Sequence, residues 1–179
     1  VVKDLPRIGA PSDIRVQFVR QPTPNTCVHA CLAMVTGVPV AELIARFGDQ
    51  GLYRLEEATV LTEYGILPEP ASPEDGWRFP AVYLASVPSL NRPGYLHRIV
   101  VFAHVGQRAK EWRVYDPNMG ISGTHYHKVR AFYRRRKEPP VVYCELTRLA
   151  VLWMHRGTAE RLRLYAVREG ARSRKVPHA

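Results

Sequence analysis

Four residues of this chain have the types and spacing for thiol chemistry. The segment "QPTPNTCVHACLAMVTG" (residues 21–37) places Gln21 six positions before Cys27, and Cys27 opens an apolar run. A thiol that attacks a carbonyl must be ionised, must share its proton with an oriented base, and must find donors for the developing oxyanion. A cysteine at a helix N-terminus gains thiolate character from the positive end of the helix dipole. Its own backbone N–H is one oxyanion donor, and the Gln21 amide can supply a second. The base is read as His97, near the start of the strand-like run "YLHRIVVF". Asp116 begins "DPN", where Pro117 ends the next strand-like run and leaves the carboxylate at its edge. A hairpin turn near Gly106 to Lys110 brings Asp116 back level with His97. His104, later on the same run, has the opposite parity and faces the other side.

These residues must be carried by particular elements. A helix is predicted from about Cys27 to Thr36, with Asn25 or Thr26 as N-cap and Gly37 as its stop. Ala30 through Val35 leave it no polar face, so burial on nearly all sides is expected. A second helix follows Pro39, with Val40, Leu43, Ile44 and Phe47 at helical spacing and Gly48 closing it. A third covers about Leu55 to Tyr64. Residues 1–20 read as an extended lead-in containing a short strand at "IRVQFV". Residues 68–93 are Pro-rich around a strand at "AVYLASV", and "YLHRIVVFAHV" and "EWRVYDP" form an antiparallel pair. Helices first and antiparallel strands after them give an α+β fold.

With "CxxACLAMVTGVPV" followed by "SVPSL…YLHRIVVF…VYDPN", the chain resembles the papain-like cysteine peptidases over about residues 15–120. More narrowly, it is similar to small bacterial and phage peptidases and to the bacteriocin-leader-processing peptidases of export transporters. The resemblance implies a papain-like fold, with a helical half and an antiparallel sheet half flanking a cleft. It also implies Cys27 as nucleophile, His97 as general base and acid, Asp116 as its orienter and Gln21 as the oxyanion glutamine. Val28 stands where the leader-processing enzymes carry glycine, a departure that bears on the oxyanion region and on substrate preference.

The formal charge of +10 is unevenly distributed. Residues 1–127 carry twelve basic and twelve acidic side chains, whereas residues 128–179 carry fourteen against four. We therefore expect a neutral peptidase core over 1–127 and a basic C-terminal extension over 128–179, a β-hairpin on the core plus a tail. Within the extension, "RAFYRRRK" makes Arg134, Arg135, Arg136 and Lys137 a candidate site for nucleic acid or another polyanion. That charge also supports a rival reading, a non-catalytic structural or nucleic-acid-binding subunit of a larger assembly, such as a phage particle. Cys27, His29 and Cys31 sit at i, i+2 and i+4 of one helix and cannot converge on one ion, and no C-x-x-C pair exists. The histidines of "HYH", His125 and His127, are expected in a solvent-facing loop. Neither metal nor cofactor is expected, and the resemblance implies a polypeptide substrate. Three cysteines, no secretion signal and no membrane-length apolar run point to a cytoplasmic or virion-associated protein.

Overall fold

The computed structural model describes residues 7–9, 14–71, 80–89, 92–103, 113–118, 126–128 and 145–153. Among the described residues three helices precede most of an antiparallel sheet, so the fold is α+β. The helices are α1 (Cys27–Thr36), α2 (Val40–Phe47) and α3 (Arg54–Glu63). The strands are β1 (Arg7–Gly9), β2 (Ile66–Ala71), β3 (Ala81–Pro88), β4 (Leu96–Ala103), β5 (Arg113–Tyr115), β6 (Tyr126–Lys128) and β7 (Glu145–Trp153). Among the described residues the sheet runs β1-β7-β3-β4-β5-β6, with β2 also pairing with β7.

The local reasons for the helices are those in the sequence. Gly37 takes the left-handed conformation (φ 77°) that ends α1, and its N–H donates to the Ala33 carbonyl at 3.0 Å. His29 through Val35 are buried, so α1 is enclosed on nearly all sides. Pro39 precedes α2, whose Leu43 is buried while Val40 and Phe47 pack against the core. At the start of α3 the Glu56 carboxylate reaches back to accept from the Tyr53 N–H at 3.0 Å.

Alternation in the sheet builds two apolar layers. Val82, Leu84 and Val100 join α1, α2 and α3 in one core. Tyr83, Ala85, Val87, Ile99, Val101 and Val114 form another. Strand β3 is therefore buried on both faces, which explains its nearly continuous apolar run.

Three expectations need correcting. Residues 14–20, the predicted strand "IRVQFV", form no strand; that segment lies along α1, with the Gln17 N–H donating to the Met34 carbonyl at 3.0 Å. Its alternating burial reflects packing, not pairing. The Pro-rich stretch begins with a strand that was not expected, β2, which contains Pro68 and Pro70. Finally, the "HYH" segment is not wholly a loop, because Tyr126–Lys128 pair with β5. Strand β7 lies between β3 and the pair β1 and β2, so part of the C-terminal third belongs to the same sheet. The hairpin turn near 106–110, His104, His125, Cys144, the basic cluster Arg134–Lys137 and the run "RLRLYAV" lie outside the described residues. No helix among the described residues is long and apolar enough to cross a membrane.

Candidate active site

Cys27 is the first residue of α1. Thr26 occupies the N-cap position but its hydroxyl turns back, donating to the Thr23 carbonyl at 3.0 Å and accepting from the Thr23 N–H at 3.1 Å. No side chain caps the helix, so its first N–H groups, that of Cys27 included, keep no intrahelical acceptor. The sequence suggested Asn25 or Thr26 as a cap, and Thr26 instead stiffens the loop before the cysteine.

His97 and Asp116 are brought together by the register of β4 and β5. Val100 pairs with Tyr115 and Val101 with Val114, so continuing the ladder sets Asp116 opposite Ile99, one pleat from His97 on the same face. The ring Nε2 and the Asp116 carboxylate oxygen Oδ1 are 2.7 Å apart, with both groups buried. The Asn118 N–H donates to the same oxygen at 2.8 Å and fixes the carboxylate from its own turn. With Nε2 committed to Asp116, Nδ1 is the nitrogen left for the thiol.

Cys27 and His97 interact through their side chains, and each shifts the other. Burial pushes the Cys27 thiol up. The hydrogen bond to His97, the charge of that ring and the backbone N–H groups of Arg98 and Val28 outweigh burial, and the thiol ends below its ordinary value. Burial lowers His97, but the bonds to Asp116 and Cys27 and their charges win, raising it to about 9. Both shifts favour the charged forms, thiolate and imidazolium, and the protons belong to the coupled pair.

The other thiol of α1 behaves differently. Cys31 is fully buried, its Sγ donates to the Arg98 carbonyl at 3.3 Å, and burial raises it well above the ordinary thiol value. His29 is also fully buried, and burial pushes its imidazole down toward the neutral form. Among the described residues no group of three or more metal-ligating side chains is assembled.

Gln21 is buried beside Asp116 through its backbone, since its N–H donates to the Pro117 carbonyl at 3.1 Å. Its side-chain Nε2 donates to the Thr23 carbonyl at 2.9 Å, within the loop that leads into α1. An amide nitrogen carries two hydrogens, so this anchor leaves one N–H.

A cleft of about 540 Å³ opens over Cys27 and His97. Its walls come from Pro24 and Asn25, from the Gln50–Gly51–Leu52 turn, from the start of α3 and from the β3–β4 connection. Sequence reasoning missed its floor. There the Arg98 guanidinium donates to the Glu57 carboxylate at 2.5 Å and to the Ser86 hydroxyl at 2.6 Å, joining α3, β3 and β4. Arg98 directly follows His97, so the pair anchors the strand that presents the imidazole. Both partners are buried, and a charge stripped of its counter-ion in such a place is costly. Glu57→Gln is expected to destabilise the fold by about 3–5 kcal/mol in urea denaturation, with the Glu57→Gln/Arg98→Met double variant recovering most of the loss. Two charged residues at no recognisable spacing gave no sequence signal for this contact.

Comparison of the chain with protein-family models, curated proteins and solved structures finds no match.

Proposed function

We propose that this chain is a papain-like thiol hydrolase that cleaves a peptide or isopeptide bond. The reading is carried by one observation: buried Asp116 holds His97 at 2.7 Å, and that imidazole lines the same cleft as Cys27 at the start of α1. Helical half, sheet half and the cleft between them are consistent with that family.

In the reaction, the Cys27 thiolate attacks the substrate carbonyl carbon and a C–S bond forms. The Cys27 N–H and the second Gln21 amide hydrogen receive the oxyanion. The His97 imidazolium gives its proton to the departing amine as the C–N bond breaks, leaving a thioester on Cys27. Neutral His97 then takes a proton from water, whose oxygen attacks the thioester and releases the acid and the thiol. Asp116 keeps one ring tautomer and stabilises the imidazolium throughout.

The test is a peptide library incubated with the purified chain and with Cys27→Ala, with products read by mass spectrometry. Cleavage by the wild type alone supports the reading. Silence from both, together with a Cys27 that labels as slowly as Cys31, overturns it in favour of a non-catalytic subunit.

A further inference from the structure

The cleft has a charge bias that the triad does not use. Its described lining includes Arg54, Arg92 and Arg98 against a single carboxylate, Glu57. Glu57 is already bonded to Arg98, which leaves Arg92, on the rim, as the cation of interest.

Arg92 is built into position. Pro93 and Gly94 (φ 82°) form a tight turn in which the Tyr95 N–H donates to the Arg92 carbonyl at 3.1 Å. The Arg92 N–H donates to the Ser89 hydroxyl at 3.2 Å, and the Ser89 N–H donates to the Tyr95 carbonyl at 2.8 Å, closing the loop on itself. The guanidinium stacks on the Tyr95 ring, 4.2 Å from its centroid, and Nη1 donates to Asn25 Oδ1, two residues before Cys27. It therefore spans from the β3–β4 connection to the loop that leads into the nucleophile. A guanidinium offers five N–H donors, and no carboxylate among the described residues pairs with this one. A fork that is pre-oriented, cationic and open matches a carboxylate.

Resting on the peptidase reading, we propose that Arg92 is a specificity-determining residue that binds the side chain of an aspartate or glutamate close to the scissile bond. The substrate class is then a polypeptide with an acidic residue next to its cleavage point.

The test needs no known substrate. Iodoacetate carries a carboxylate and iodoacetamide does not, and both alkylate Cys27, so the ratio of their rates reads anion recruitment into the cleft. We expect this ratio to fall at least about threefold in Arg92→Gln and about tenfold in Arg92→Glu at low salt, the scale of one unit charge at short range. It falls less in Arg92→Lys, which keeps the charge but not the fork, and stays near wild type in Arg15→Glu, whose exposed side chain belongs to the segment along the far end of α1. Added salt compresses the difference. A ratio unchanged in both Arg92→Gln and Arg92→Glu overturns the assignment, as does a ratio that falls equally in Arg92→Lys, which marks the residue as a structural strap. The peptidase reading fails separately, if His97→Ala leaves the iodoacetamide rate of Cys27 untouched.

Discussion

On the proposed peptidase reading, hydrolysis is expected to vanish in Cys27→Ala, a loss of at least about 10⁴-fold, because the covalent route needs the sulfur. The only other thiol among the described residues, Cys31, is fully buried, bonded to the Arg98 carbonyl and held protonated by burial. It lies one helical turn from Cys27 and cannot rescue the reaction. Cys27 is itself only partly buried, at the open end of α1, so alanine there removes little packing and the variant should fold normally. A matching loss of thermal stability would instead assign Cys27 a structural role. Circular dichroism alongside the hydrolysis assay separates the two outcomes.

Asp116→Asn is expected to lower kcat by about 10²–10⁴-fold with little change in KM, the upper figure being what the equivalent change costs in a serine-protease triad. The carboxylate is buried and does not line the cleft. It acts on His97, accepting from the ring and contributing, with Cys27, to holding it near 9 against the downward pull of burial. An asparagine keeps the shape, and its oxygen can still accept from the ring, but the charge is gone. The imidazolium form becomes less stable, the thiolate loses its partner, and the alkaline limb of the pH–rate profile moves to lower pH. That shift distinguishes a positioning role from mere loss of fold. A variant with unchanged kcat and an unmoved alkaline limb would remove Asp116 from the mechanism.

How much of this was legible in the sequence depends on whether the signal was local. The helices were legible because their stops are chemical. Gly37 adopts a positive φ and Pro39 cannot continue a helix, so α1 and α2 fall where the punctuation puts them. The pairing of His97 with Asp116 was legible from parity and from Pro117, which ends strand pairing after the carboxylate. Strand β2 was not, because two prolines in six residues read as irregular chain. Pro68 and Pro70 are two apart, so their missing N–H groups fall on the same side of the strand, and the ladder to β7 uses the other side. The place of β7 beside β3 was also hidden, since alternation reveals a strand but not its partner. Arg92 carried a turn signal, "RPG", with nothing to show that the turn leans over the cysteine.

The central claim is that Cys27 and His97 share one proton and exist as thiolate and imidazolium at neutral pH. The most direct measurement is the iodoacetamide rate of Cys27 from pH 4 to 10, in the wild type and in His97→Ala. A lowered thiol and a raised imidazole together predict a rate that rises at lower pH than an ordinary thiol's, then stays level and changes again only near pH 9, where His97 loses its proton. In His97→Ala the level region should disappear and the rate should climb late, as for an ordinary thiol. A wild-type profile with a single rise near pH 8.5–9, identical in His97→Ala, would contradict the account.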